Sequence, residues 1–347
     1  LINRCELFWL FLSGGLLLGV SLGANDAANV FGSAVGTRML SFRRAAVIAS
    51  LFVIAGAVIM GEGTSGTIGS LGITVDIINA FVISISAGIS IFLMTFINVP
   101  VSTSQAVVGA IVGSNIYYGY STNYTELTSI VISWVTSPVL GAIVAVLLLL
   151  IVKYIIRRTR IHLIKLDVIL RNLLIVAGAF GAYSLGANNI ANVVGVFIPV
   201  ADIYDIGFLS DTGIPKHYMI LLAGGIAIAV GIIFLSKRLM QTVGHNLMPL
   251  TPESALVVVL SHSIVLFLFS SVWLRDIVHS IGMPWFPMVP VSSSQVIIGA
   301  IVGLSILKRA NEINTKRLGV IFSGWIISPP LAAILVYILL RLNQLVF

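Results

Sequence analysis

VPVSTSQ at Val99–Gln105 and VPVSSSQ at Val289–Gln295 each follow a long apolar segment and lead straight into another, AVVGAIVGS after Gln105 and VIIGAIVGL after Gln295. A proline, three hydroxyl residues, an amide and a glycine-rich apolar run read as the start of a helix. Pro suits the first turn, Ser or Thr can cap, and the free backbone N–H groups point backwards. A helix start of this kind inside a membrane is a ready site for an anion. Its occurrence twice is what the rest of the chain has to explain.

Composition sets the medium. Of 347 residues, 58% are hydrophobic and 9% charged, and the mean hydropathy is +1.10. Soluble domains carry about a quarter charged residues, so this is an all-α integral membrane protein. Its apolar runs have the length of helices, not of ten-residue alternating strands. The net charge of +7 reflects a positive-inside bias and not nucleic-acid binding. Cys5 is the single cysteine, so no intramolecular disulfide forms. The run Leu7–Val20 imitates a signal peptide, but no A-x-A-like site follows it and a matching segment occurs in mid-chain. The missing initiator Met points to trimming of the first residue or residues.

The mid-chain match belongs to a series. GANDAANVFGS at Gly23–Ser33 pairs with GANNIANVVGV at Gly186–Val196, an offset of 163. The VPVS stretches pair at an offset of 190, and SWVTSPVLGAIVAVLLLL from Ser133 pairs with GWIISPPLAAILVYILL from Gly324 at 191. Three ordered matches make a two-fold internal repeat, residues 1–160 and 161–347. The growing offset assigns insertions to Pro199–Lys216 and Ser271–Pro287.

Basic residues orient it. Arg38, Arg43 and Arg44 follow the first span; Lys153, Arg157, Arg158, Arg160, Lys165 and Arg171 fill the junction; Lys237 and Arg238 follow a later span; Lys308, Arg309, Lys316 and Arg317 precede the last. With all of these cytoplasmic, both termini lie outside and Gly61–Asp76 is an outside loop. Hairpins at Ile77–Tyr118 and Ser254–Leu307 then enter from opposite faces. The repeat is therefore of inverted topology, with two helical hairpins and broken helices near the midplane, the architecture of many secondary transporters. Channels use it as well, and other membrane proteins rarely do.

Few polar residues lie deep in these segments. Asp26 follows a 17-residue apolar run, and no Lys or Arg lies between Cys5 and Thr37. A carboxylate there must be paired, coordinated or hydrated. Asn25 and Asn29 offer amide oxygens and Gly23 lets the backbone open, a hard-oxygen set for an alkali cation. Asn188, Asn189 and Asn192 stand at the matching positions; the plainer reading of those amides is that they satisfy a broken helix. Ser102, Thr103, Ser104 and Gln105 with Ser292, Ser293, Ser294 and Gln295 form the anion set, although ordinary capping explains part of it. A phosphate would bring one or two negative charges and Asp26 one more, whereas two helix ends offset only about one. At least two cations per cycle are expected. His262, in an apolar span, reads as a cross-helix hydrogen bond. Arg275, Asp276 and His279 read as an interfacial ion pair, and Glu62, Asp76, Asp202, Asp205 and Asp211 as solvated loop residues. The stretch Lys153–Lys165 suits anionic membrane lipids. No P-loop, zinc spacing or Ser/His/Asp set is present, so no cofactor and no enzyme is expected.

At the GAND, GANN and two VPVS motifs the sequence resembles the inorganic phosphate transporter (Pit) family of sodium- or proton-coupled phosphate permeases. The resemblance covers both halves in order. It implies sodium ligands at Asn25, Asp26, Asn188 and Asn189, and phosphate and ion contacts at Ser102–Gln105 and Ser292–Gln295. It also implies a homodimer in which a transport part moves against a scaffold part. The plasma membrane is the expected location. This chain departs from the family pattern in carrying Asn189 where many members have Asp, Val53 and Val259 where many animal members have Glu, and Gln105 and Gln295 in place of His. Fewer titratable groups favour sodium over protons, and sulfate remains an alternative substrate because some members carry it. An anion channel is the alternative from another class.

Overall fold

The computed structural model describes residues 4–72, 76–97, 99, 101–159, 161–201, 215–240, 250–308 and 314–346. Among them every regular element is helical. These are α1 (Arg4–Gly36), α2 (Phe42–Met60), α3 (Glu62–Leu71), α4 (Ile77–Phe96), α5 (Thr103–Tyr118), α6 (Tyr124–Thr159), α7 (Leu163–Val194), α8 (Ile198–Ala201) and α9 (Lys216–Leu235), then α10 (Pro252–Ser270), α11 (Val272–Ser280), α12 (Ser293–Lys308) and α13 (Thr315–Val346). Seven described helices (α1, α2, α4, α6, α9, α10 and α13) are long and apolar enough to cross a membrane.

The packing has a two-fold pattern. α1 packs on α4 and α9, while α7 packs on α10 and α2; α5 packs on α13, while α12 packs on α6. Each contact has a counterpart with the two halves exchanged. Lipid supplies no hydrophobic drive between helices, so close backbone approach over small residues has to hold them. A β-carbon at Gly23 would overlap the Ile228 carbonyl, and one at Gly186, its counterpart, would overlap that of Val53. Gly109 and Gly299 meet the Pro329 and Pro138 carbonyls in the same exchanged way. Gly23→Ala forces α1 and α9 apart and is expected to cost at least 1–3 kcal/mol, roughly the penalty of overpacking. A fall in the melting temperature of the detergent-purified protein checks this.

That close packing corrects one expectation. GAND and GANN do not open the backbone: α1 and α7 run as helices straight through them. The glycines serve interhelical approach, so the backbone carbonyls stay in the helix and ligand chemistry falls to the side chains. The breaks occur instead in the hairpins. α4 ends at Phe96 and α5 begins at Thr103, and in the second half non-helical chain from Ile281 to Ser292 precedes α12.

The stretch Gly61–Asp76 is also corrected. Its glycines, serines and threonines argue for a loop on propensity, but residues 62–71 form α3, packed on α7. Thr64 Oγ1 donates to Ala187 O at 3.0 Å, and Thr64, Ser65, Ile68 and Leu71 are buried. Tertiary contact has overridden propensity. Asp76 is no loose loop acid but the cap of α4, accepting from Asn79 N at 2.7 Å. Pro100, Arg160, Arg309, Asp202, Asp205, Asp211 and most of the insertion at Pro199–Lys216 lie outside the described residues. The other insertion forms α11, an exposed amphipathic helix carrying the expected Arg275–Asp276 ion pair at 2.9 Å.

Burial sorts the helices. The most apolar window is 17% buried in α6 and 28% in α13, against 67% in α4 and 72% in α10. α6 and α13 therefore turn their apolar faces outward, whereas α4 and α10 sit inside and hold the hairpin tips in the core.

Candidate functional site

All fourteen residues singled out from the two motif pairs are buried. Helices α1 and α7 bring the GAND and GANN side chains to the tips of the two hairpins, and the tips touch. Ser294 Oγ, from the second hairpin, donates to Val101 O of the first at 3.3 Å. Asn25 Nδ2 donates to the same Val101 O at 3.1 Å and to Asp26 Oδ1 at 2.7 Å. Asn29 Nδ2 reaches Asp26 Oδ1 at 3.4 Å and Ser293 Oγ at 3.1 Å. Residues almost 270 positions apart in sequence thus share one cluster.

The second half repeats the arrangement with a difference. Asn192 Nδ2 donates to Asn189 Oδ1 at 3.2 Å, the counterpart of Asn29 to Asp26. Asn188 grips its hairpin with both ends of the amide, donating to Val289 O at 3.2 Å and accepting from Val291 N at 2.9 Å. Asn25 uses only its nitrogen; its Oδ1 is buried and without a partner. Each half thus carries a spare amide oxygen, on Asn25 beside the carboxylate in the first and on Asn192 in the second.

The caps account for part of each VPVS motif. Ser102 Oγ accepts from Gln105 N and Ser292 Oγ from Gln295 N, both at 3.3 Å. Ser104 and Ser294 bond to those capping hydroxyls at 3.2 Å. Capping is then complete, and Thr103 and Ser293 are surplus to it. Thr103 Oγ1 makes no hydrogen bond within 3.5 Å but faces the Asp26 carboxylate, and Gln105 Oε1, Gln295 Oε1, Asn189 Nδ2 and Asn192 Oδ1 have no partner. Buried polar atoms are paired with few exceptions, so a cluster of unpaired ones at converging helix starts marks a place for polar ligands. The two Gln side chains also line a cavity of about 580 Å³ along α6, α12 and α13. Trp134 and Trp325, which face it too, have unpartnered indole N–H groups.

Charge in the cluster is lopsided. Asp26 is the single buried carboxylate among the described residues, and no Lys or Arg is buried there. No group of three or more His, Cys, Asp or Glu that could hold a metal occurs among them either. The available ligands are amide, hydroxyl and carboxylate oxygens, a set that suits a hard monovalent cation. Sequence reasoning placed His262 outside the site. It makes the expected cross-helix bond, but to a site residue: its Nε2 lies 2.8 Å from Ser293 Oγ. Its position in the middle of an apolar span was the available signal.

The phosphate transporter family model matches residues 22–167 and again 157–336. The chain belongs to this family. A candidate phosphate permease of Thermococcus kodakarensis is 25% identical, the alignment covering 97% of this chain and 98% of the relative. A sulfate permease of Bacillus subtilis is 28% identical over 94% of this chain and 85% of its own length. Among solved structures, a sodium-dependent phosphate transporter superposes with a TM-score of 0.73 at 24% identity, covering 96% of this chain and 99% of that one. At that identity the superposition establishes the shared fold. This phosphate transporter family member is a multi-pass membrane protein, and its family is one of transporters.

Proposed function

We propose that this protein imports inorganic phosphate by symport with sodium ions, using alternating access between two inverted repeats (residues 1–160 and 161–347). The observation that carries this reading is the buried cluster in which both hairpin tips meet the Asp26 side of α1 without any Lys or Arg. Phosphate is met there by helix starts and by the surplus hydroxyls of Thr103 and Ser293, with Ser102, Ser104, Gln105, Ser292, Ser294 and Gln295 shaping the two ends. Sodium ions are met by Asp26, by the free Oδ1 of Asn25, and by Asn29, Asn188, Asn189 and Asn192. Two helix starts offset about one negative charge. The carboxylate and the phosphate exceed that, so neither substrate is well held alone, and cation and anion load together. Both termini lie outside the cell, the protein works as a homodimer in the plasma membrane, and the basic junction between the repeats rests on anionic lipid.

Uptake into proteoliposomes under an imposed sodium gradient tests this. Phosphate is expected to accumulate above its equilibrium level with sodium and not with choline. Accumulation driven by a proton gradient without sodium overturns the coupling; flux that never exceeds equilibration points to a channel. The Bacillus relative favours a second reading, in which sulfate is the anion. Sulfate uptake that phosphate does not inhibit would establish it.

A further inference from the structure

Ser293 Oγ has two partners, and their chemistry decides where its proton goes. Asn29 Nδ2 can only donate, so Ser293 accepts from it at 3.1 Å. His262 Nε2, at 2.8 Å, either accepts the Ser293 proton or donates its own. If it accepts, the imidazole proton sits on Nδ1, which is buried with nothing to receive it. If it donates, only a lone pair is stranded at Nδ1, and a stranded acceptor is less costly than a stranded N–H. The second tautomer therefore prevails. Ser293 Oγ then accepts twice, and its own O–H is free.

The first half has no such device. Gly88 of α4 packs on Leu18, and Ser263 of α10 stands at Gly181, the Leu18 counterpart. The register makes Ala87 the counterpart of His262, so no ring reaches Thr103, the match of Ser293, whose hydroxyl faces Asp26 without a hydrogen bond within 3.5 Å. The ring is thus a feature of one hairpin. It ends a hydrogen-bonded path from Asp26 through Asn29 and Ser293.

We propose that His262 is a positioning residue of the oxyanion site: by donating through Nε2 to Ser293 it turns the Ser293 hydroxyl into a dedicated donor for the bound anion. The proposal rests on the transport reading above. Its test compares His262→Gln, which keeps an N–H donor at a similar reach, with His262→Met, which keeps volume and removes the donor. Phosphate and sulfate binding are read by ligand-induced thermal stabilisation of the purified protein, and uptake by its KM and maximal rate. The Met variant keeps the Ser293 O–H but loses the donor that orients it, and is expected to weaken anion binding and raise KM about tenfold, the worth of roughly one hydrogen bond. Its maximal rate should change little, and the Gln variant should stay within about threefold of the parent. Met and Gln variants that fall together, or that both match the parent, overturn the assignment while leaving the transport reading intact. A parent protein that binds neither anion overturns both.

Discussion

Asp26→Asn is expected to abolish sodium-stimulated phosphate uptake while leaving the protein as stable as before, or more so. Asp26 is buried with two amide donors and no basic partner. An ionised carboxylate in that setting costs several kcal/mol unless a cation neutralises it. Asn has nearly the same shape, keeps an oxygen, and carries no charge to desolvate. The empty protein thus loses a burden, and the cation loses its strongest ligand. Losing a paired charge of this kind weakens binding by about 2–5 kcal/mol, a rise of about 30-fold to several thousand-fold in the sodium concentration required. The check is the melting temperature in sodium chloride against choline chloride, together with uptake. The parent should be stabilised by sodium and the variant should not. An unchanged sodium response in the variant removes Asp26 from the cation site.

Thr103→Val is expected to separate stability from function in the same way at the anion end. The Thr103 hydroxyl makes no hydrogen bond within 3.5 Å, its near neighbour being the Asp26 carboxylate, and capping of α5 is done by Ser102. Removing an unpaired buried hydroxyl while keeping the β-branched shape should be neutral or mildly stabilising. A hydrogen bond to a charged ligand, however, contributes about 1.5–3 kcal/mol, so phosphate KM should rise between about tenfold and a hundredfold. Kinetics of phosphate uptake at saturating sodium measure this. A variant with the parent's KM shows that Thr103 does not touch the anion; one that fails to fold shows that its hydroxyl serves the structure.

The candidate site and the fold are legible in the sequence to different degrees. Membrane class followed from composition, since no water-soluble chain could bury this much apolar surface. The repeat followed from the order of GAND, VPVS and SPVLG against GANN, VPVS and SPPLA, and the candidate site residues from polar side chains that a bilayer would otherwise exclude. None of that needed coordinates. The continuity of α1 and α7 was not legible. A glycine beside a polar run reads equally as an opening in the backbone or as a surface for another helix, and only the Ile228 and Val53 carbonyls lying against Gly23 and Gly186 choose between them. Residues 62–71 escaped for a related reason, because local propensity argues for a loop and the packing of Thr64 and Ile68 on α7 is invisible in one dimension.

By itself, then, the sequence determined which residues could serve a cation and an anion in a membrane, because charge and hydrogen-bonding capacity belong to residue types and their burial cost is local. Only the tertiary structure decided which of them meet. The contact of Ser294 with Val101, the reach of Asn29 to Ser293, and the spare oxygen on Asn25 but not on Asn188 depend on how two hairpins dock between two long helices. Such contacts join positions far apart in the chain, and their geometry is fixed by close packing around glycines rather than by any neighbouring residue.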